Sequence, residues 1–128
     1  MADTAYLSPE AVVQQQLDAY NAHDLEGWLA TYAADACQYQ HPATLLARGH
    51  AEIRQRAIAR FAEPDLHARL LRRQVIGQVV IDHEMVRRNF AEGPGQIELL
   101  CLYTVDAGKI SSASFIAGPE QLDPPGTD

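Results

Sequence analysis

The chain is poor in cysteine, short of positive charge and without a long hydrophobic run, and each shortage removes a class of protein. Two cysteines, Cys37 and Cys101, make no disulfide framework, and the composition suits a reducing compartment. Ten lysines and arginines against seventeen aspartates and glutamates leave a net charge of −7. A surface of that sign repels phosphate backbones and anionic lipid, which argues against nucleic acid and membrane as partners. No apolar stretch approaches the ~20 residues that a membrane-spanning helix needs. MADTAYLSPE holds no basic segment followed by an apolar run, so the expected location is cytoplasmic. There is no glycine-rich phosphate loop and no HExxH. The histidines His23, His41, His50, His67 and His83 never fall at the spacing of a strand or helix metal site. Neither a metal nor another cofactor is expected.

What is present is an ordinary globular composition, 47% hydrophobic and 21% charged, in 128 residues, enough for one domain with a real core. Ser8-Pro9-Glu10 combines a capping hydroxyl, a proline at the first helical position and an early acid. Val13, Leu17 and Tyr20 then recur at helical spacing, which predicts a helix over 9–22. Asp24 caps a second helix striped by Leu25, Trp28, Leu29 and Tyr32 and ending near 34–35. Short strands follow at 36–40 and 45–47, then a helix over 50–62 closed by Pro64. Strands at 66–75 and 79–88 are joined by a tight hairpin at Ile76-Gly77-Gln78. A loop at 89–95 precedes strands at 97–105 and 110–116. Residues 118–128, with three prolines and almost nothing apolar, read as a loose tail to a single domain spanning 1–117. Segregated helices followed by a meander define α+β, with helices on one face of a curved antiparallel sheet. A sheet that curls around them leaves a conical pocket at its open end.

Within the central strand, VVIDHEM at 79–85 places three polar residues in a row. The two-residue period sends Val79, Ile81, His83 and Met85 to one face and Val80, Asp82, Glu84 and Val86 to the other. The apolar set around His83 is expected to face inward. Asp82 and Glu84 are then expected outside, ion-paired with Arg87, Arg88 or a neighbouring subunit. The arginines from Arg48 to Arg73 are read as a solvated face.

VVQQQLDAYNAHDLEGWLATYAADACQYQHP, ARGHAEIRQR, the VVIDHE hairpin and LYTVDAGKISSASFI together resemble the nuclear transport factor 2-like superfamily. The similarity is to its small bacterial SnoaL-like and ketosteroid-isomerase-like proteins, and it spans residues 10–117. It implies a cone-shaped α+β fold, a homodimer through the outer sheet face and an internal pocket for a small hydrophobic molecule. It does not imply a reaction, because such folds host many chemistries. Ketosteroid isomerase needs an aspartate base and an oxyanion hole of tyrosine and protonated aspartate. Alignment to it puts Gln16 at the tyrosine, His41 at the base and Cys101 near the second aspartate. All three positions have changed, which argues against that isomerisation.

The same alignment assigns Ile81, His83 and Met85 to the pocket. His83 and His41 become the expected proton-transfer groups, since imidazole titrates near neutral pH. Gln16, Tyr39, Ile81, Met85, Cys101, Tyr103 and Phe115 are the expected substrate contacts. The blander reading makes His83 a satisfied core histidine, His41 a turn residue and Cys101 a small hydrophobe instead of a nucleophile. Three functions fit: a cofactor-independent isomerase, dehydratase or cyclase; a non-catalytic binder of an apolar metabolite; or a protein-interaction module.

Overall fold

The computed structural model describes residues 6–126. Helix α1 runs Pro9–Asn21, and its cap is the expected one: Ser8 Oγ accepts from the Ala11 N–H at 3.1 Å. Val12, Val13, Gln16 and Leu17 form its buried face. Asp24 caps α2 by accepting from the Gly27 N–H at 2.9 Å, but α2 covers only Leu25–Leu29. The chain leaves the helix because strand β1, Tyr32–Gln40, is claimed by a distant partner. Tyr32 lies opposite Ile110, and the Ile110 N–H donates to the Thr31 carbonyl at 2.9 Å. This long-range pairing overrides the helical stripe that continues through Tyr32.

Strand β2 (Thr44–Arg48) and α3 (Gly49–Phe61) follow, and α3 buries Ile53, Ala57 and Phe61 at four-residue spacing. The remaining strands are β3 (His67–Ile76), β4 (Val79–Phe90), β5 (Gly93–Asp106), β6 (Lys109–Ala117) and β7 (Gln121–Leu122). The expected loop at 89–95 is instead a short turn between two long strands. The sheet order is β2-β1-β6-β5-β4-β3, with β7 on β5. Every neighbouring pair is antiparallel except β1 and β6, which run parallel, so the curved, unclosed sheet is mixed. The tail is not loose up to Asp123. Leu122 and Gln121 pair with Gly95 and Gln96, and Asp123 takes two bonds from Arg87 at 2.8 and 2.5 Å.

The main core joins α1, α2 and α3 to the concave face of the sheet through Val12, Val13, Trp28, Ile53, Phe61, Val80 and Tyr103, among others. Burying each of these large side chains contributes about 1.5–3 kcal/mol. A second cluster, Leu17, Leu66, Ala68 and Val86, lies further along the same concave face. The space between the two clusters and α3 is not filled, and there the site forms.

Candidate functional site

A cavity of about 400 Å³ opens between α1, α2, α3 and the concave sheet. Its wall takes most of the chain's aromatic side chains. Of five tyrosines, three phenylalanines and one tryptophan, the lining takes Tyr20, Tyr32, Tyr103, Phe61, Phe115 and Trp28. Trp28 meets Tyr32 and Phe61 at 5.0 and 5.1 Å between ring centroids, and Phe61 meets Tyr20 edge-on at 5.3 Å. These contacts brace the wall while leaving one ring face or edge to the hollow.

Strand β4 contributes Glu84 and Val86 to the lining. Its buried set is Val80, Asp82, Glu84 and Val86, so the inward face is the one carrying the carboxylates. This reverses the expected orientation. His83 is on the convex face, where its Nε2 meets Glu98 Oε2 at 2.5 Å. Ile81 and Met85 share that face, and none of the three lines the cavity. His41 is exposed in the turn after β1, with its N–H donating to the Phe115 carbonyl at 2.9 Å. A bulge at Gln38/Tyr39 and the end of β1 at Gln40 break the alternation that was expected to put Tyr39 on the face of His41; Gln38 and Gln40 line the cavity, and Tyr39 does not. The expected pocket placement of His83, His41, Tyr39, Ile81 and Met85 is therefore corrected. Gln16, Cys101, Tyr103 and Phe115 do line the cavity.

The two inward carboxylates have different surroundings. Asp82 is completely buried and takes a forked pair of bonds from Arg73, at 2.7 and 2.9 Å. Arg73 also donates to Gln14 Oε1 at 2.8 Å, which ties β3, β4 and α1 together. Among the described residues Glu84, 4% exposed, has no cation bonded to it, and its one hydrogen-bond partner is the Cys101 thiol, 3.8 Å from Oε1. Burial, reinforced by the Asp82 charge and only partly offset by Cys101 and Arg73, pushes Glu84 up to about 7. Burial and the neighbouring Glu84 push the Cys101 thiol well up, so it stays protonated and unreactive. His83 faces away from it across the sheet, so no Cys–His pair exists.

Hydrogen-bond donors complete the wall. Burial raises the hydroxyls of Tyr20 (to about 12), Tyr32 and Tyr103, and all three stay neutral. The Tyr32 oxygen accepts from Gln38 Nε2 at 3.3 Å, which leaves its own hydrogen free to donate. Two buried polar atoms of the lining, Gln16 Oε1 and Trp28 Nε1, have no hydrogen-bond partner among the described residues. A buried polar group left unmatched costs about 1–3 kcal/mol, so an acceptor and a donor here are available to a ligand. Arg56 and Arg60 also line the cavity, which corrects the reading of the Arg48–Arg73 run as a solvated face; Arg88 lines it too, paired with Glu63 and not with the β4 carboxylates. Among the described residues no group of three or more His, Cys, Asp or Glu side chains is placed to hold a metal ion. No helix among them is long and apolar enough to cross a membrane.

The chain belongs to the SnoaL-like domain family, whose model matches residues 13–113. No curated protein matches it at a significant level. Among solved structures it is similar to a cystatin-fold protein from Novosphingobium aromaticivorans, with TM-score 0.79, 24% identity and coverage of 86% of this chain and 98% of the other. A Mycobacterium tuberculosis protein in complex with estradiol-17β-hemisuccinate superposes with TM-score 0.72 at 19% identity, covering 85% and 93%. A proposed polyketide cyclase from Sinorhizobium meliloti gives TM-score 0.67 at 23% identity, covering 83% and 94%. A nuclear transport factor 2-like protein from Burkholderia pseudomallei (TM-score 0.72) and a protein of ketosteroid-isomerase-like fold from Catenulispora acidiphila (TM-score 0.69) also superpose, so the fold is of the cystatin, nuclear transport factor 2-like type.

Proposed function

We propose that this protein binds a small, largely apolar molecule in its cavity and transforms it by cofactor-independent acid–base chemistry, with Glu84 as the proton-transfer group. Isomerisation, dehydration and cyclisation are the reaction types that fit. The observation that carries this reading is a lone carboxyl on the wall of a cavity rich in aromatic side chains, with no cation bonded to it and a thiol as its single partner among the described residues. A group half-protonated near neutral pH accepts a proton from carbon or oxygen in one step and returns it in the next. The Tyr32 and Tyr103 hydroxyls and the Trp28 N–H supply donors for negative charge developing on a substrate oxygen. Gln16 offers an acceptor, while Cys101 and Phe115 shape the wall beside it. The complex of the M. tuberculosis neighbour supports a cavity of this kind holding a small ligand. An open cavity also favours a ligand over the protein-interaction reading.

The convex sheet face carries Ile81, Met85, Leu100, Leu102 and Ile116 around the His83–Glu98 pair. This apolar surface supports a homodimer through the outer face, which sedimentation equilibrium tests.

A metabolite-library thermal-shift screen followed by turnover assays tests the catalytic reading. Glu84→Gln is expected to lose about a hundredfold or more in kcat, while His83→Ala and His41→Ala keep theirs. Full activity in Glu84→Gln contradicts it, and ligand binding without turnover by the wild type identifies a non-catalytic binder.

A further inference from the structure

We infer that the ligand of this cavity is an apolar organic acid, its carboxylate clasped by Arg56 and Arg60 while its body lies along the aromatic wall. The inference rests on the cavity being a ligand site and deepens that reading by naming the chemical class.

The argument comes from how the arginines are partnered. Arg54, Arg73, Arg87 and Arg88 have carboxylate partners in Glu26, Asp82, Asp123 and Glu63. Arg56 differs. Its Nη1 donates to the neutral Gln38 Oε1 at 2.9 Å, and among the described residues no carboxylate pairs with it. Gln38 is itself 1% exposed and held by the Tyr32 hydroxyl, so the guanidinium is anchored without being neutralised. Arg60 fares little better. Its Nε lies 3.7 Å from Glu63 Oε2, while Arg88 holds both Glu63 oxygens at 2.8 and 2.9 Å.

Arg56 and Arg60 are one helical turn apart on α3, on the same side as Ala57 and Phe61, which also line the cavity. Two under-neutralised guanidiniums side by side repel each other; burial first, and then the Arg60 charge, push the Arg56 guanidinium below its ordinary pKa. In a chain of net charge −7, a cationic stretch of cavity wall is a local reversal of sign. An anion placed between the two relieves the repulsion, and a carboxylate matches the fork of N–H donors. Arg56 is exposed at its outer side, whereas Trp28, Tyr32, Cys101 and Tyr103 are buried, so the cationic pair is at the rim. A bound acid therefore enters apolar end first and keeps its charged end at the mouth.

The test compares para-cyclohexylbenzoate with para-cyclohexylbenzamide, the same body with and without the charge. Trp28 is the only tryptophan and lines the cavity, so its fluorescence reads occupancy, and calorimetry gives the affinity. Wild type is expected to bind the acid about tenfold or more tightly than the amide, the preference of a charge-assisted pair over a neutral contact. Arg56→Gln should bring that ratio close to one by weakening the acid far more than the amide. Arg56→Lys should restore part of it, Arg60→Gln should reduce it, and Arg72→Gln, on exposed β3, should keep it. Equal binding of acid and amide by wild type overturns the inference, as does failure of both to bind. A ratio that survives in both Arg56→Gln and Arg60→Gln overturns it too. Should Arg56→Gln not fold, Arg56→Lys and Arg60→Gln decide alone. The ratio is read without turnover. An intact ratio with a fully active Glu84→Gln sinks the catalytic reading only, and a ratio of one with Glu84-dependent turnover sinks this inference only.

Discussion

The two faces of β4 carry the same kinds of polar residue and treat them differently. On the concave face, Asp82 and Glu84 are taken almost wholly out of water. On the convex face, His83 keeps 36% of its side chain exposed and pairs with a half-exposed Glu98. The convex pair is a surface contact of the kind that contributes little. The concave carboxylates are costly, and the fold handles them in two ways. Asp82 is offset by a forked arginine; Glu84 is left with a thiol and is driven towards its neutral form. Position relative to the cavity, and not the reputation of a residue type, assigns the chemistry.

Removing the better-partnered carboxylate should have the largest effect. Asp82→Asn leaves Arg73 buried without a counter-charge, which destabilises the protein by about 3–5 kcal/mol, read by urea denaturation. The same change withdraws the Asp82 charge that raises Glu84, so the midpoint of Glu84 should fall below about 7. Glu84→Gln should act in the opposite direction on stability. The folded protein holds the Glu84 proton more tightly than the unfolded chain. Its relative contribution is therefore fully present below pH 4.5 and lost as pH rises through about 7. Above that window the variant should be more stable than wild type by about 3 kcal/mol, and below pH 4.5 the advantage should vanish. Paired denaturation curves across this range check the sign. His83→Ala, the smallest change, should leave turnover and the Glu84 midpoint unaltered; a shift in either would mean that the two faces communicate.

Much of the fold was legible. The Ser8-Pro9 cap, the Asp24 cap and the Gly77-Gln78 hairpin follow from local chemistry that the structure repeats, while the parallel pairing of β1 with β6 and the short β7 do not. The second helix was misjudged because the pairing of Tyr32 with Ile110 is non-local. The face of β4 was misjudged for a different reason. Alternation partitions a strand into two sets and does not say which set is inside. Counting back from the two-residue turn sets Ile76 opposite Val79 and Arg73 opposite Asp82, an ion pair in register that marks a shared face without marking it as the inner one. Arg56 and Arg60 were hidden because a rim arginine and a solvated one read alike until the cavity between α3 and the sheet is known.

The central claim is that Glu84 is a buried carboxyl on the cavity wall, held half-protonated near neutral pH. Isotope-edited NMR of the glutamate side-chain carboxyls, assigned by the signal missing in Glu84→Gln, titrates that group directly in the free protein. A midpoint at about 7 is the expected result. A midpoint near the ordinary 4.5 would contradict it and remove the proton-transfer group from the cavity.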